Sequence, residues 1–176
     1  RTFIANDQIR GGLVSHVYDV TYGLVQNDID TLVVLDDSIV RGTTLKESII
    51  RILNTLHPKK IVIVSSAPQI RYPDCYGIDM STLDGFVAFQ AAITLLKEKK
   101  MTNVIDEVYK KCKAQEKTKD SEVVNYVKEI YAPFTDVEIS TKIATLLHPE
   151  EIKAEVKIIY QTVDNLHIAC PKNLGD

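Results

Sequence analysis

The chain has 176 residues, 45% of them hydrophobic and 26% charged, with a formal net charge of −3. That length supports one domain with a real core, and the composition is that of an ordinary globular protein. No global basic field points to nucleic acid, and apolar runs such as Ile61–Val64 are too short to span a bilayer.

In chain order, residues 1–30 are mixed, and Gly23, Asn27 and Asp28 predict a turn ahead of the first clear strand. Leu32–Leu35 is a continuous apolar, β-branched run, the pattern of a buried parallel strand. Thr44–Leu56 places Leu45, Ile49, Ile52, Leu53 and Leu56 on one helical face, and His57-Pro58 stops it. Ile61–Val64 is a second strand, so strand, helix and strand make a βαβ unit. Ser65–Asp84 is a long loop of the kind that carries function, and a helix is predicted over 83–99.

From Lys97 the composition becomes charge-rich, and the lysine runs at 97–100 and 110–119 read as solvated helix faces. Helices are predicted over Glu122–Tyr131, Asp136–Leu147 and Glu150–His167, with Thr135 or Asp136 capping the second and Pro149 opening the third. The expected division is 1–100 as an α/β part and 101–176 as a helical C-terminal region.

Cys75, Cys112 and Cys170 are odd in number and far apart, which argues against a disulfide framework and for a reducing, cytoplasmic setting. There is no CxxC or HxxxH spacing for structural zinc. His16, His57, His148 and His167 are scattered and read as structural or exposed.

The segment between the first strand and the first helix, Asp36-Asp37-Ser38-Ile39-Val40-Arg41-Gly42-Thr43-Thr44, carries the chemistry. Ligands of open α/β sheets bind at the carboxyl ends of strands, where Asp36 and Asp37 fall. Adjacent carboxylates accept hydrogen bonds from vicinal hydroxyls or help to hold a hard divalent cation. The residues from Val40 to Thr44 lead into a helix start, whose amides and dipole stabilise a phosphate. Gly42 permits close backbone approach, and Thr43 and Thr44 add hydroxyls. Arg41 either pairs with phosphate or points to solvent. A bland alternative is an Asp-Asp-Ser turn with a Thr cap. The segment is neither a Walker loop nor a GxGxxG fingerprint.

The stretch from Val33 to Thr44 resembles the phosphoribosyl pyrophosphate (PRPP) motif of type I phosphoribosyltransferases. Its wording is closest to the amidophosphoribosyltransferases, the glutamine phosphoribosylpyrophosphate amidotransferases of purine synthesis. Arg1-Thr2-Phe3-Ile4 resembles the start of that family's mobile loop. Ser66–Pro73 and Tyr76–Met80 resemble segments after the next strand.

The resemblance implies a partial type I phosphoribosyltransferase fold, a parallel sheet with flanking helices, followed by a helical C-terminal tail. It implies that Asp36 and Asp37 bind the ribose hydroxyls and assist Mg²⁺. Ser38, Ile39, Val40, Arg41, Gly42, Thr43 and Thr44 would cradle the 5′-phosphate. The implied reaction replaces pyrophosphate by ammonia derived from glutamine and gives 5-phosphoribosylamine. No catalytic base is identified.

The sequence also departs from the family. Nothing in it resembles the glutaminase domain, and the opening at Arg1 without Met reads as a piece of something longer. The 6–16 stretch has only Arg10 as a clear base, where the family carries several. Without a CxxC, no iron–sulfur cluster is expected. The expected partners are PRPP and glutamine-derived ammonia, with a homo-oligomer covering an open sheet edge and with no nucleic acid or membrane. The alternative function is a PRPP- or nucleotide-binding regulatory module that has lost catalysis.

Overall fold

A computed structural model describes residues 21–74, 82–119 and 122–172. The Arg1–Ile4 and 6–16 stretches, Cys75 and the Tyr76–Met80 segment lie outside the described residues.

Three parallel strands form one sheet, β1 (Thr31–Asp36), β2 (Lys60–Ser65) and β3 (Glu155–Tyr160), in that spatial order. Between β1 and β2 runs α1, a π-helical turn at Leu45–Ile49 continuing as α-helix Ile50–Asn54. A 3₁₀ turn at Leu83–Gly85 precedes α2 (Val87–Glu98), α3 (Thr102–Ala114), α4 (Lys128–Tyr131) and α5 (Asp136–Leu147). The last element is α6 (Val163–Ala169), after β3.

The βαβ unit expected from the apolar runs is present, with β1 and β2 adjacent and parallel. His57 ends the α1 connection with a positive φ of 50°, and its carbonyl accepts the Asp28 amide at 2.8 Å. The turn expected before β1 is thereby tied to the turn before β2.

Two expected helices are corrected. Glu150–His167 is not one helix: it holds β3, then α6. Ile152, Val156, Tyr160 and Val163 do recur at helical spacing, but Val156, Ile158 and Ile159 are β-branched. Pairing with β2 over the full length of β3 settles the contest. The Glu122–Tyr131 helix is also shorter, confined to Lys128–Tyr131.

The register sets Leu32, Ile61 and Val156 side by side, then Val34, Ile63 and Ile158, then Asp36, Ser65 and Tyr160. Residues in register share a face. This face meets the helices, and Ile61 and Ile63 share one core with Ile50, Ala91, Leu96, Ile139 and Ile143. Helix α2 packs on α5, and α5 packs on β3. Position 100 lies between α2 and α3, so the sheet and its core draw on residues from both sides of it.

The opposite face of β1 corrects the expectation of a strand buried on both sides. Val33 is 63% exposed and Leu35 is 80% exposed. Their apolar character reads as a buried face, but among the described residues helices cover only the other side. No helix among the described residues is long and apolar enough to cross a membrane.

Helix α5 starts as its sequence dictates. Of the two candidate caps, Thr135 takes the position: its hydroxyl accepts the Glu138 amide at 3.2 Å, and Glu138 accepts the Thr135 amide at 2.8 Å. This reciprocal pair satisfies two donors at the helix start. The Thr135 amide, then the Lys99 ammonium and the Thr135 hydroxyl, hold the Glu138 carboxyl down to about 2.

Candidate functional site

The acidic pair sits where β1 ends. Asp36 closes the strand with its side chain half-buried, and Asp37 is exposed beyond it. The Asp37 amide donates to Asp36 Oδ1 at 2.9 Å, and the Ser38 amide donates to Asp37 Oδ1 at 2.8 Å. From the end of β2, the Ser66 amide donates to the Asp36 carbonyl at 2.9 Å, and the Ala67 amide donates to the Asp37 carbonyl at 3.0 Å. The Ser66 hydroxyl also reaches the Asp37 carbonyl at 3.1 Å. These bonds fix the backbone under both carboxylates, and the second oxygen of each takes no part in them. Burial raises the Asp36 carboxyl above its ordinary range, and the neighbouring Asp37 adds to the shift.

The loop beyond is anchored residue by residue. Ile39 is 3% exposed and lies in the core, so only its backbone can face a ligand. The Val40 carbonyl accepts the Val87 amide at 2.9 Å, tying the loop to the start of α2. Gly42 has φ +72°, a conformation that strains residues with a Cβ. A Cβ there would meet Leu147 Cδ1 at 2.6 Å and Cδ2 at 2.7 Å. The backbone therefore lies directly on the last turn of α5. Lys46 reinforces the contact by donating from Nζ to the Leu146 carbonyl at 3.2 Å.

Arg41 stands beside the 3₁₀ turn, where a Cβ on Gly85 would lie 3.7 Å from its Nε. Asp84 has its carboxyl lowered by a bond from Thr82, with a smaller contribution from the Arg41 charge. Of the two roles left open for Arg41, the structure shows neither; its charge acts on the start of the α2 segment.

Thr44 precedes the π turn in a helical conformation, and no side chain caps that helix start. A π turn is a rare departure from α geometry and recurs at functional sites. Asp36, Asp37 and the Gly42–Thr44 stretch are consecutive parts of one strand–loop–helix unit. The Ser38 amide is committed to Asp37. Such an arrangement can accept hydroxyl donors at the carboxylates and receive an anion at the helix start.

No group of three or more His, Cys, Asp or Glu side chains suited to a metal occurs among the described residues. The donor set at Asp36 and Asp37 is two hard carboxylate groups. Mg²⁺ commonly takes one or two carboxylates and completes its shell with water and phosphate oxygens. The pair fits a cation shared with a phosphorylated ligand and does not make an all-protein cage. Cys112 and Cys170 are free thiols.

Two supporting features have no local signal in the sequence, the Ser66–Ala67 clamp and the Gly42–Leu147 contact. A further lock holds the loop after β2. Arg71 pairs with Asp136, donates to Gln69 Oε1 at 2.7 Å, and lies 5.0 Å over the Tyr131 ring. The Tyr131 hydroxyl returns a bond to the Arg71 carbonyl at 2.9 Å.

A groove of about 940 Å³ lies between α5 and β3, with Val137, Thr141, Ala144, Ile158 and Tyr160 and charged residues such as Lys60, Arg71 and Asp136 in its lining. Asp36 and Asp37 do not line it.

Comparison with known proteins gives a consistent result. The chain is similar to the Haemophilus influenzae amidophosphoribosyltransferase, 48% identical over 58 residues, which are 33% of this chain and 11% of that protein. The Escherichia coli amidophosphoribosyltransferase is 46% identical over 57 residues, 32% of this chain and 11% of that protein. The Saccharomyces cerevisiae amidophosphoribosyltransferase is 29% identical over 142 residues, 76% of this chain and 28% of that protein. No protein-family model and no solved structure matches the chain. The chain thus spans between 11% and 28% of the length of these curated relatives and is related to their C-terminal part.

Proposed function

We propose that Asp36, Asp37 and the loop ending at Thr44 bind the ribose 5-phosphate moiety of PRPP. The longer protein to which these residues correspond would convert PRPP, glutamine and water into 5-phosphoribosylamine, glutamate and pyrophosphate. Relationship to enzymes named amidophosphoribosyltransferase supports this reading. The observation that carries it is the acidic pair held from β2, followed by a left-handed Gly42 that turns the chain into a helix start.

In this reading Asp36 and Asp37 accept hydrogen bonds from the vicinal hydroxyls of the ribose. The backbone from Val40 to Thr44 and the hydroxyls of Thr43 and Thr44 surround the 5′-phosphate, and Ser38, Ile39 and Arg41 shape the loop. Asp36 and Asp37 would also hold Mg²⁺, which neutralises charge on the pyrophosphate when bound. Much of the rate would come from orientation and from electrostatic support of the leaving group. Ammonia would arrive from glutamine hydrolysis by a separate glutaminase domain. Residues 1–100 would carry the ribose phosphate site, and 101–176 would complete its sheet and core. A cytoplasmic homo-oligomer is the setting that accords with this role.

A second reading is favoured by one feature, the single clear base in the 6–16 stretch. There the site binds PRPP or a nucleotide for regulation and does not turn it over. Calorimetric titration of the 176-residue chain with PRPP and Mg²⁺ tests the shared premise: saturable binding displaced by ribose 5-phosphate is expected, and no binding at millimolar ligand rejects both readings. Added ammonia then separates them. Phosphoribosylamine formation by this chain excludes a module without catalysis; binding without turnover is the result expected for this piece alone, and the same assay on the longer protein then decides between the readings.

A further inference from the structure

Tyr160 is the last residue of β3 and stands in register with Ser65, which stands in register with Asp36. The three side chains therefore line one face across the carboxyl ends of all three strands. Ser65, between the other two, is small and 1% exposed, so little bulk separates the tyrosine ring from the Asp36 side. The ring packs against the core. Its hydroxyl is buried and has no hydrogen-bond partner among the described residues.

A buried O–H without an acceptor is unfavourable and rare in native structures. The neighbouring groups do not relieve it. The Ser65 hydroxyl donates to the Ala67 carbonyl at 2.9 Å, and the Ser65 carbonyl accepts the Gln161 amide at 3.0 Å. Burial, and then the nearby charge of Asp36, make the Tyr160 hydroxyl harder to ionise, so it is present as a neutral donor. The one carboxylate in its row is Asp36, whose Oδ1 holds the Asp37 amide.

We propose that Tyr160 is a positioning residue for the ribose phosphate site: its hydroxyl donates to the Asp36 carboxylate once a bound diol draws that carboxylate into its working orientation. The inference rests on the ribose phosphate reading given above. It also accounts for the unpartnered hydroxyl, which is kept unsatisfied in the free protein and satisfied in the complex. A residue retained for packing alone needs no hydroxyl.

The test compares wild type, Tyr160→Phe, Asp36→Asn and the double variant, with ribose 5-phosphate and Mg²⁺ as the probe. Tyr160→Phe is expected to leave the unfolding temperature of the free protein unchanged or raised, because no bond is lost. It should weaken ribose 5-phosphate binding roughly tenfold, the scale of one hydrogen bond to a charged group. In the Asp36→Asn background the same change should alter affinity less than about twofold, the mark of two residues acting as a unit. Equal affinities of wild type and Tyr160→Phe overturn the inference and leave the ribose phosphate reading standing. A fall of several degrees in the free protein's unfolding temperature also overturns it, since the hydroxyl then has a structural partner. Failure of the wild type to bind removes both.

Discussion

Gly42→Ala probes whether the proposed phosphate loop is held by α5. The backbone at Gly42 has φ +72°, and a Cβ there would lie 2.6 Å and 2.7 Å from the two Leu147 methyls. The left-handed conformation costs an alanine about 1–2 kcal/mol. Lower freedom of the unfolded chain offsets about 0.4–1 kcal/mol of that. Moving the Leu147 side chain adds the strain of overpacking, about 1–3 kcal/mol. The expected loss is about 1–5 kcal/mol, centred near 3, from these terms together. Urea unfolding of wild type, Gly42→Ala, Leu147→Ala and the double variant measures it. Leu147→Ala alone should cost about 2–5 kcal/mol through its cavity. The double variant should lose less than the sum, because each change relieves the other's defect. A Gly42→Ala loss under about 0.5 kcal/mol, the range of an ordinary surface site, refutes the reasoning. So does additivity within about 0.3–0.5 kcal/mol, since the two positions would then not touch.

Other substitutions test the frame around the loop. Arg71→Lys keeps the charge but loses the fork that joins Asp136 and Gln69 and the stacking on Tyr131. A loss of about 1–2 kcal/mol in denaturant unfolding is expected, and no change would show that the lock does not form. The Glu138 carboxyl is held at about 2 in the folded chain, below its ordinary 4.5. Its contribution is present above about pH 4.5 and is lost as pH falls toward 2. Glu138→Gln should flatten the stability profile in that window, and an unchanged acid limb would contradict the capping geometry. Leu35→Lys should change stability by less than about 0.5 kcal/mol, since the side chain is 80% exposed. A large loss would mean that the outer face of β1 is covered in solution.

The parts legible in the sequence are those set by short-range pattern. Leu32–Leu35, the helical spacing from Leu45 and the Ile61–Val64 run define β1, α1 and β2 without tertiary information. Thr135 followed three residues later by Glu138 is a local cap, and it forms. β3 was hidden because its apolar residues satisfy helical and strand spacing together, and pairing with the distant β2 decides between them. The exposed outer face of β1 is not legible, because an apolar run does not say whether both faces are covered. The acidic pair and Gly42 were visible as residue types. Their supports, Ser66, Ala67 and Leu147, enter only through strand register and helix packing. No spacing along the chain encodes those contacts.

The central claim is that Asp36 and Asp37 receive a ribose diol. Calorimetric titration of PRPP with Mg²⁺ into wild type and Asp37→Asn tests it most directly, because Asp37 is exposed and its replacement leaves the core untouched. Loss of one charged acceptor should weaken binding by about 1.5–3 kcal/mol, roughly ten- to a hundred-fold or slightly more. Equal affinities for the two proteins would contradict the account.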